Sequence, residues 1–282
     1  MLRPDADVVP VVPRSITGTG YAMATQPVAT HAISTSAEGL VAGEVTIRSG
    51  DFAMPAYRAC PAGAGPFPVV IVVSEIFGVH AYIADVARRL ARLGYLAIAP
   101  EMFVRHGDAK APVDIPTLFA TVVSKVPDAQ AMADLDACVA WAGANNGDTD
   151  RLGVTGFCWG GRMTWLFCAH QPAVRGGVAW YGRLTGPTTP LQPRHPVDIA
   201  GELRAPVLGL YGDADAGIPL AAVEQMKAAL AQGSVAAKAS QFVLYAKAQH
   251  AFHADYRPAY DEAAANDGWQ RCIAWLRAHG VA

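Results

Sequence analysis

The apolar positions of this chain change period along its length. Residues 43–48 and 53–60 alternate polar with apolar around Ser49-Gly50-Asp51, the pattern of a β-hairpin. Residues 68–74, PVVIVVS, form an unbroken β-branched run, as expected of a strand covered on both faces. Helical spacing comes next over 82–93, where Ile83, Val86, Leu90 and Leu93 recur at offsets of three and four, and Gly94 ends it. The pattern then repeats. Strands are predicted over 95–99, 152–157, 177–181, 206–211 and 242–245. Helices are predicted over 128–143 with Asp128 as N-cap, and over 160–170, 221–230 and 259–278.

Two stretches lack a period. Residues 104–127 hold three prolines and read as a loop or lid over the sheet edge. Residues 182–203 are a proline-rich excursion. Strands alternating with helices imply βαβ units, so the fold class is α/β with a mostly parallel sheet, flanked by helices on both faces and preceded by the hairpin. In such sheets ligands bind beyond the carboxyl ends of the strands, so the loops at those ends are where chemistry is expected.

Residues 1–38 are rich in Pro, Thr, Ser and Ala and are expected to be a flexible arm or a remnant signal, ahead of one domain over 39–282. Ala22-Met23-Ala24 is a triplet of the kind a signal peptidase cuts. The residues before it are too polar for an h-region, so a cytoplasmic location is expected, with a periplasmic one as the alternative. No apolar run reaches membrane-spanning length.

Composition narrows the function. Hydrophobic residues make up 52% and charged residues 16%, which suits a large buried core. A net charge of −2 with no run of one sign gives no surface for nucleic acid. The five cysteines are widely spaced with no CxxC pair, so neither a zinc site nor a disulfide framework is expected.

One cysteine stands apart. The 152–157 strand runs into Gly156-Phe157-Cys158-Trp159-Gly160-Gly161, of the form G-x-C-x-G, directly before a helix. A nucleophile on a sharp strand-to-helix turn needs a strained backbone and neighbours without bulk. The helix N-terminus then favours thiolate over thiol. Such a nucleophile needs a base, and the base an orienting acid. Asp213 and Asp215 compete for the acid after the 206–211 strand. His250 and His253 compete for the base after the 242–245 strand. The order nucleophile, acid, histidine is that of α/β-hydrolases. Glu75 ends the buried 68–74 strand, where a carboxylate is costly without a partner and where this fold supplies a second oxyanion-hole N–H.

Together the segments GFCWGG, EIFG, G-x-x-D-x-x-I-P and His250-Ala251-Phe252 resemble the dienelactone hydrolase family (carboxymethylenebutenolidases), over roughly residues 40–280. The resemblance implies an α/β-hydrolase fold and hydrolysis of an activated ester or enol lactone through an acyl-thioester. It implies Cys158 as nucleophile, Asp215 as acid, since Gly212 precedes it by three and Ile218-Pro219 come after, and His250 as base, since Phe252 stands two after it. Glu75 matches the family's glutamate, which there interacts with the resting cysteine. The N–H groups of Ile76 and Trp159 would form the oxyanion hole. Phe77, Arg105, Tyr181, His253 and Arg257 are the candidates for substrate contact. No cofactor or metal is implied, and the partner is a small ester or lactone, with the protein a monomer or homodimer.

Two positions depart from the family. Its histidine comes after a glycine, whereas Gln249 stands here, and its arginine four residues after the histidine is Ala254. Arg105, Arg183 and Arg257 are possible substitutes for that arginine. The departures leave room for another ester or thioester hydrolase, an acyltransferase, or a non-catalytic thiol sensor.

Overall fold

The computed structural model describes residues 32–111 and 113–282. The hairpin forms as expected from β1 (Leu40–Ser49) and β2 (Phe52–Pro61), in a register that pairs Ser49 with Phe52. Gly50 takes the first central position of the two-residue turn with φ +61°, a conformation that glycine adopts without strain. β3 (Phe67–Val73) buries Val69 to Val73 completely, and α1 (Ala81–Arg92) comes next, stopped at Gly94 with φ +99°.

β4 (Leu96–Pro100) leads into the first aperiodic stretch, where the structure differs from the expected loop. A short helix, α2 (Ile115–Thr121), forms there. The prolines that read as breakers include Pro116, which sits in the first turn, where no backbone N–H is needed. The Asp114 carboxylate accepts from the Thr117 N–H at 2.8 Å and caps the helix. α3 (Asp128–Ala144) begins one residue before its expected first turn, with Pro127 as N-cap, so Asp128 is inside the helix. Its carboxylate grips both terminal nitrogens of Arg162, at 2.6 and 2.7 Å.

β5 (Gly147–Phe157), α4 (Trp159–His170), β6 (Val174–Trp180), β7 (Val207–Gly212), α6 (Leu220–Ala231), β8 (Gln241–Tyr245) and α8 (Glu262–Ala278) match predicted elements within a few residues. Two short helices were not predicted. α5 (Pro196–Ile199) lies inside the excursion, and α7 (Val235–Ala239) precedes β8.

The eight strands make one sheet in the order β1-β2-β4-β3-β5-β6-β7-β8. β1, β2 and β4 pair antiparallel, and every pair from β4 onward is parallel. Both faces are covered. Gly153 of β5 packs against Leu276 and Val281 at the end of the chain, whereas Gly156 meets Gly160 and Thr164 of α4. This alternation arises from the two-residue repeat of a strand.

Residues 32–38, expected to belong to the flexible arm, lie along α1. Arg88 Nε donates to the Thr35 carbonyl at 2.7 Å, Arg92 donates to the Ser36 carbonyl at 3.0 Å, and the Thr35 N–H donates to Asp85. The Ala22-Met23-Ala24 triplet lies outside the described residues. No helix among the described residues is long and apolar enough to cross a membrane.

Candidate active site

Cys158 stands between β5 and α4 with φ 55° and ψ −112°, a strained conformation for a residue with a side chain. Its neighbours explain how the chain holds it. A Cβ on Gly156 would lie 2.2 Å from the Gly160 carbonyl oxygen, and one on Gly160 would lie 2.2 Å from the Val73 carbonyl oxygen. A Cβ on Gly161 would lie 2.6 Å from the Trp180 carbonyl oxygen. All three positions therefore require glycine, and the turn is clamped between β3 and β6 by backbone contact. The Cys158 N–H donates to the Trp180 carbonyl at 3.0 Å and completes the clamp.

The loops after β7 and β8 bring Asp215 and His250 together. Asp215 Oδ2 lies 2.7 Å from His250 Nδ1, which leaves Nε2 for Cys158. Asp215 is 4% exposed, and its other oxygen accepts from the Gly217 N–H at 2.8 Å. The competing Asp213 is spent elsewhere, accepting from the Lys247 N–H in the adjoining turn. Burial works against a charged His250, but the neighbouring Cys158 sulfur and the Asp215 carboxylate outweigh it. The imidazole is pushed up to about 10.

His253, by contrast, lies behind the site. It is 2% exposed, packs on Phe157 and Trp180 at centroid distances of 5.3 and 4.4 Å, and its Nδ1 meets the Tyr82 hydroxyl at 2.5 Å. The expectation that it contacts substrate is corrected by this placement, since His253 does not line the cavity at Cys158. Arg105 is corrected in the same way. It pairs with the buried Asp134 and lies 4.0 Å over the Phe52 ring, away from Cys158. A buried carboxylate that needs a counter-charge claims this arginine first.

The cavity at Cys158 has a volume of about 480 Å³. Ile76, Phe77, Trp159 and Tyr181 line it, and so do Arg183 and Arg257. The backbone N–H groups of Ile76 and Trp159 donate to no backbone carbonyl among the described residues. Tyr181 has φ 39° and packs edge-on against His250 at 5.2 Å. Arg257 lies 5.7 Å over the Phe77 ring, and neither Arg257 nor Arg183 has an ion-pair partner among the described residues. Ile115 and Phe119 of α2 supply an apolar wall, so the lid-like segment covers this cavity rather than the sheet edge.

Glu75 is fully buried at the end of β3 and also lines the cavity. Its Oε2 accepts from the Tyr256 hydroxyl at 2.7 Å and lies 3.5 Å from His80 Nε2. Its Oε1 has no hydrogen-bond partner, and the carboxylate makes no bond to Cys158. Burial alone would push its pKa up. The nearby His80 imidazole, the Arg257 charge and the Tyr256 donor together hold it below the usual carboxylate range. Sequence reasoning missed both Tyr256 and His80. The one available signal was the run Asp255-Tyr256-Arg257 so close behind the histidine. No group of three or more His, Cys, Asp or Glu that could hold a metal occurs among the described residues.

The chain as a whole is similar to known proteins. The model of the dienelactone hydrolase family matches residues 54–280. A candidate carboxymethylenebutenolidase of Methylorubrum extorquens is 58% identical over 266 residues, covering 94% of this chain and 90% of the relative. One from Escherichia coli K12 is 52% identical over 262 residues, covering 93% and 96%. The crystal structure of a candidate dienelactone hydrolase from Klebsiella pneumoniae superposes with a TM-score of 0.82 at 56% identity, covering 84% of this chain and 98% of that one. The chain belongs to the dienelactone hydrolase family of lactone and ester hydrolases, within the α/β-hydrolase superfamily.

Proposed function

We propose that this protein hydrolyses an enol lactone or similarly activated ester through an acyl-thioester on Cys158, with His250 as base and Asp215 as its orienting acid. The observation that carries this reading is the strained elbow that presents Cys158 beside a His250 bonded to Asp215.

A protonated imidazole beside a sulfur favours the thiolate. The thiolate attacks the carbonyl carbon, and the Ile76 and Trp159 N–H groups receive the oxyanion. Each such donor contributes roughly 3–4 kcal/mol in comparable sites. The carbon–oxygen bond to the leaving group breaks, and the departing enolate takes its proton from His250. Neutral His250 then removes a proton from water, which attacks the thioester carbonyl. The carbon–sulfur bond breaks, releasing the acid and restoring the thiolate–imidazolium pair. A thioester is slow to form from a poor leaving group, which favours enol lactones and aryl esters over amides.

The relatives are named for a carboxylated lactone. In this chain Arg257 and Arg183 take the place of the arginine replaced by Ala254, and either can receive a substrate carboxylate. The test is Cys158→Ala assayed on p-nitrophenyl acetate and on a carboxylated enol lactone. A fall of at least 1,000-fold on both is expected, and unchanged hydrolysis refutes the assignment. Arg257→Met is expected to raise KM for the carboxylated lactone about tenfold and to leave the neutral ester within twofold.

A further inference from the structure

We propose that His80 is a positioning residue for Glu75: it gives the buried carboxylate a second partner from the side facing away from Cys158, and so keeps it ionised.

Glu75 is a fully buried acid in the wall of the Cys158 cavity, and its partners among the described residues are few. Tyr256 donates to Oε2, and His80 Nε2 lies 3.5 Å from that same oxygen. Nε2 is itself buried with no hydrogen-bond partner, so Glu75 is the group it faces. The ring is fixed on three sides. It stacks on Tyr82 at 5.9 Å, meets Tyr256 edge-on at 4.9 Å and Phe77 edge-on at 6.4 Å. His80 is also the N-cap residue of α1, so its backbone belongs to the scaffold rather than to a substrate loop.

His80 does not line the Cys158 cavity. It lines a separate cleft of about 1,020 Å³ and a small cavity of about 180 Å³. The imidazole therefore stands between the buried carboxylate and solvent that substrate does not displace. Its charged and titratable neighbours on other elements are mostly engaged with one another. Across the cleft, Glu101 pairs with Lys110, and Glu44 of β1, Tyr57 of β2 and Asp108 complete the wall. In the small cavity, Arg88 pairs with Asp85, and Asp255 pairs with Arg89. Arg257 acts on Glu75 from the substrate side. His80 is thus the partner that Glu75 meets on the side away from substrate.

Without that partner, burial is opposed only by Tyr256 and Arg257, and Glu75 takes up a proton at higher pH. The direct test is infrared difference spectroscopy. The carbonyl stretch of protonated Glu75 is titrated in the wild-type protein and in His80→Phe, and assigned by its loss in Glu75→Gln. The midpoint is expected to rise by at least one pH unit in His80→Phe. The acid limb of kcat/KM on p-nitrophenyl acetate is expected to move with it, while the plateau above the limb stays within threefold and KM is unchanged. An unmoved midpoint overturns the proposal, as does a fall in rate by the same factor at every pH. Should His80→Phe fail to fold, His80→Gln carries the same test with a smaller expected shift. The kinetic limb rests on the acyl-transfer reading, but the infrared midpoint does not. Activity retained in Cys158→Ala would remove that reading and leave the His80 result standing.

Discussion

Two residues separate His250 from His253, yet the two rings sit in opposite surroundings. His250 looks into the cavity with Asp215 behind it and Cys158 in front, and is pushed up to about 10. His253 lies in an aromatic wall of Phe157, Trp180 and Trp269, and burial with the nearby Arg89 charge pushes it down to about 3. Burial acts on both in the same direction. The difference lies in the counter-charge: a carboxylate and a sulfur face one ring, and a guanidinium faces the other. Burial alone therefore does not distinguish the two rings. Their partners do.

The comparison breaks most visibly at the partner. Asp215→Asn is expected to lower kcat by about 1,000- to 10,000-fold with KM nearly unchanged, because an amide leaves His250 in the wrong tautomer. Steady-state kinetics on p-nitrophenyl acetate, with circular dichroism to verify folding, measures it. A loss under tenfold would place His250 in a structural role like that of His253.

His253→Phe is expected to do the reverse. Activity should stay within threefold, while stability to urea falls by about 1–3 kcal/mol, because the buried Tyr82 hydroxyl loses its partner. The pH dependence sharpens the same point. The folded pKa of His253 lies below its unfolded value, so its contribution to stability is present above about pH 6.5 and is lost as pH falls toward about 3. Between pH 6.5 and 5 the wild-type protein should lose on the order of 2 kcal/mol from this group, and His253→Phe should lose correspondingly less. His250 has the opposite sign. Its contribution is present below about pH 6.5 and is lost as pH rises through about 10. The smallest effect is expected at Arg105. Arg105→Met should leave KM within twofold, because its guanidinium serves Asp134 and Phe52 and not the substrate.

The legible parts of this molecule are those with local causes. The period of the apolar residues located every strand, and the glycines around Cys158 located the elbow, because close backbone approach leaves no other residue there. The segment 104–127 was misread because proline terminates a helix in its interior yet begins one in its first turn, and only Asp114 distinguishes the two cases. Arg105 and His253 are of the right residue type and lie near the right segments. What removes them from the site is a partner distant in sequence: Asp134 for one and Tyr82 for the other. Tyr256 was invisible for the same reason, since its partner Glu75 lies 181 residues away.

The elbow divides the protein into a part free to change and a part that is not. Cys158 is placed by peptide atoms of β3, β6 and α4 meeting where glycines allow it. The walls of its cavity are side chains such as Phe77, Phe119, Arg183 and Arg257, which lie outside the strands. Substitutions in those walls can exchange one substrate for another without moving the sulfur. A lineage built this way can diversify its diet while its reaction stays fixed, and a survey of wall variants should find many altered preferences and few lost folds.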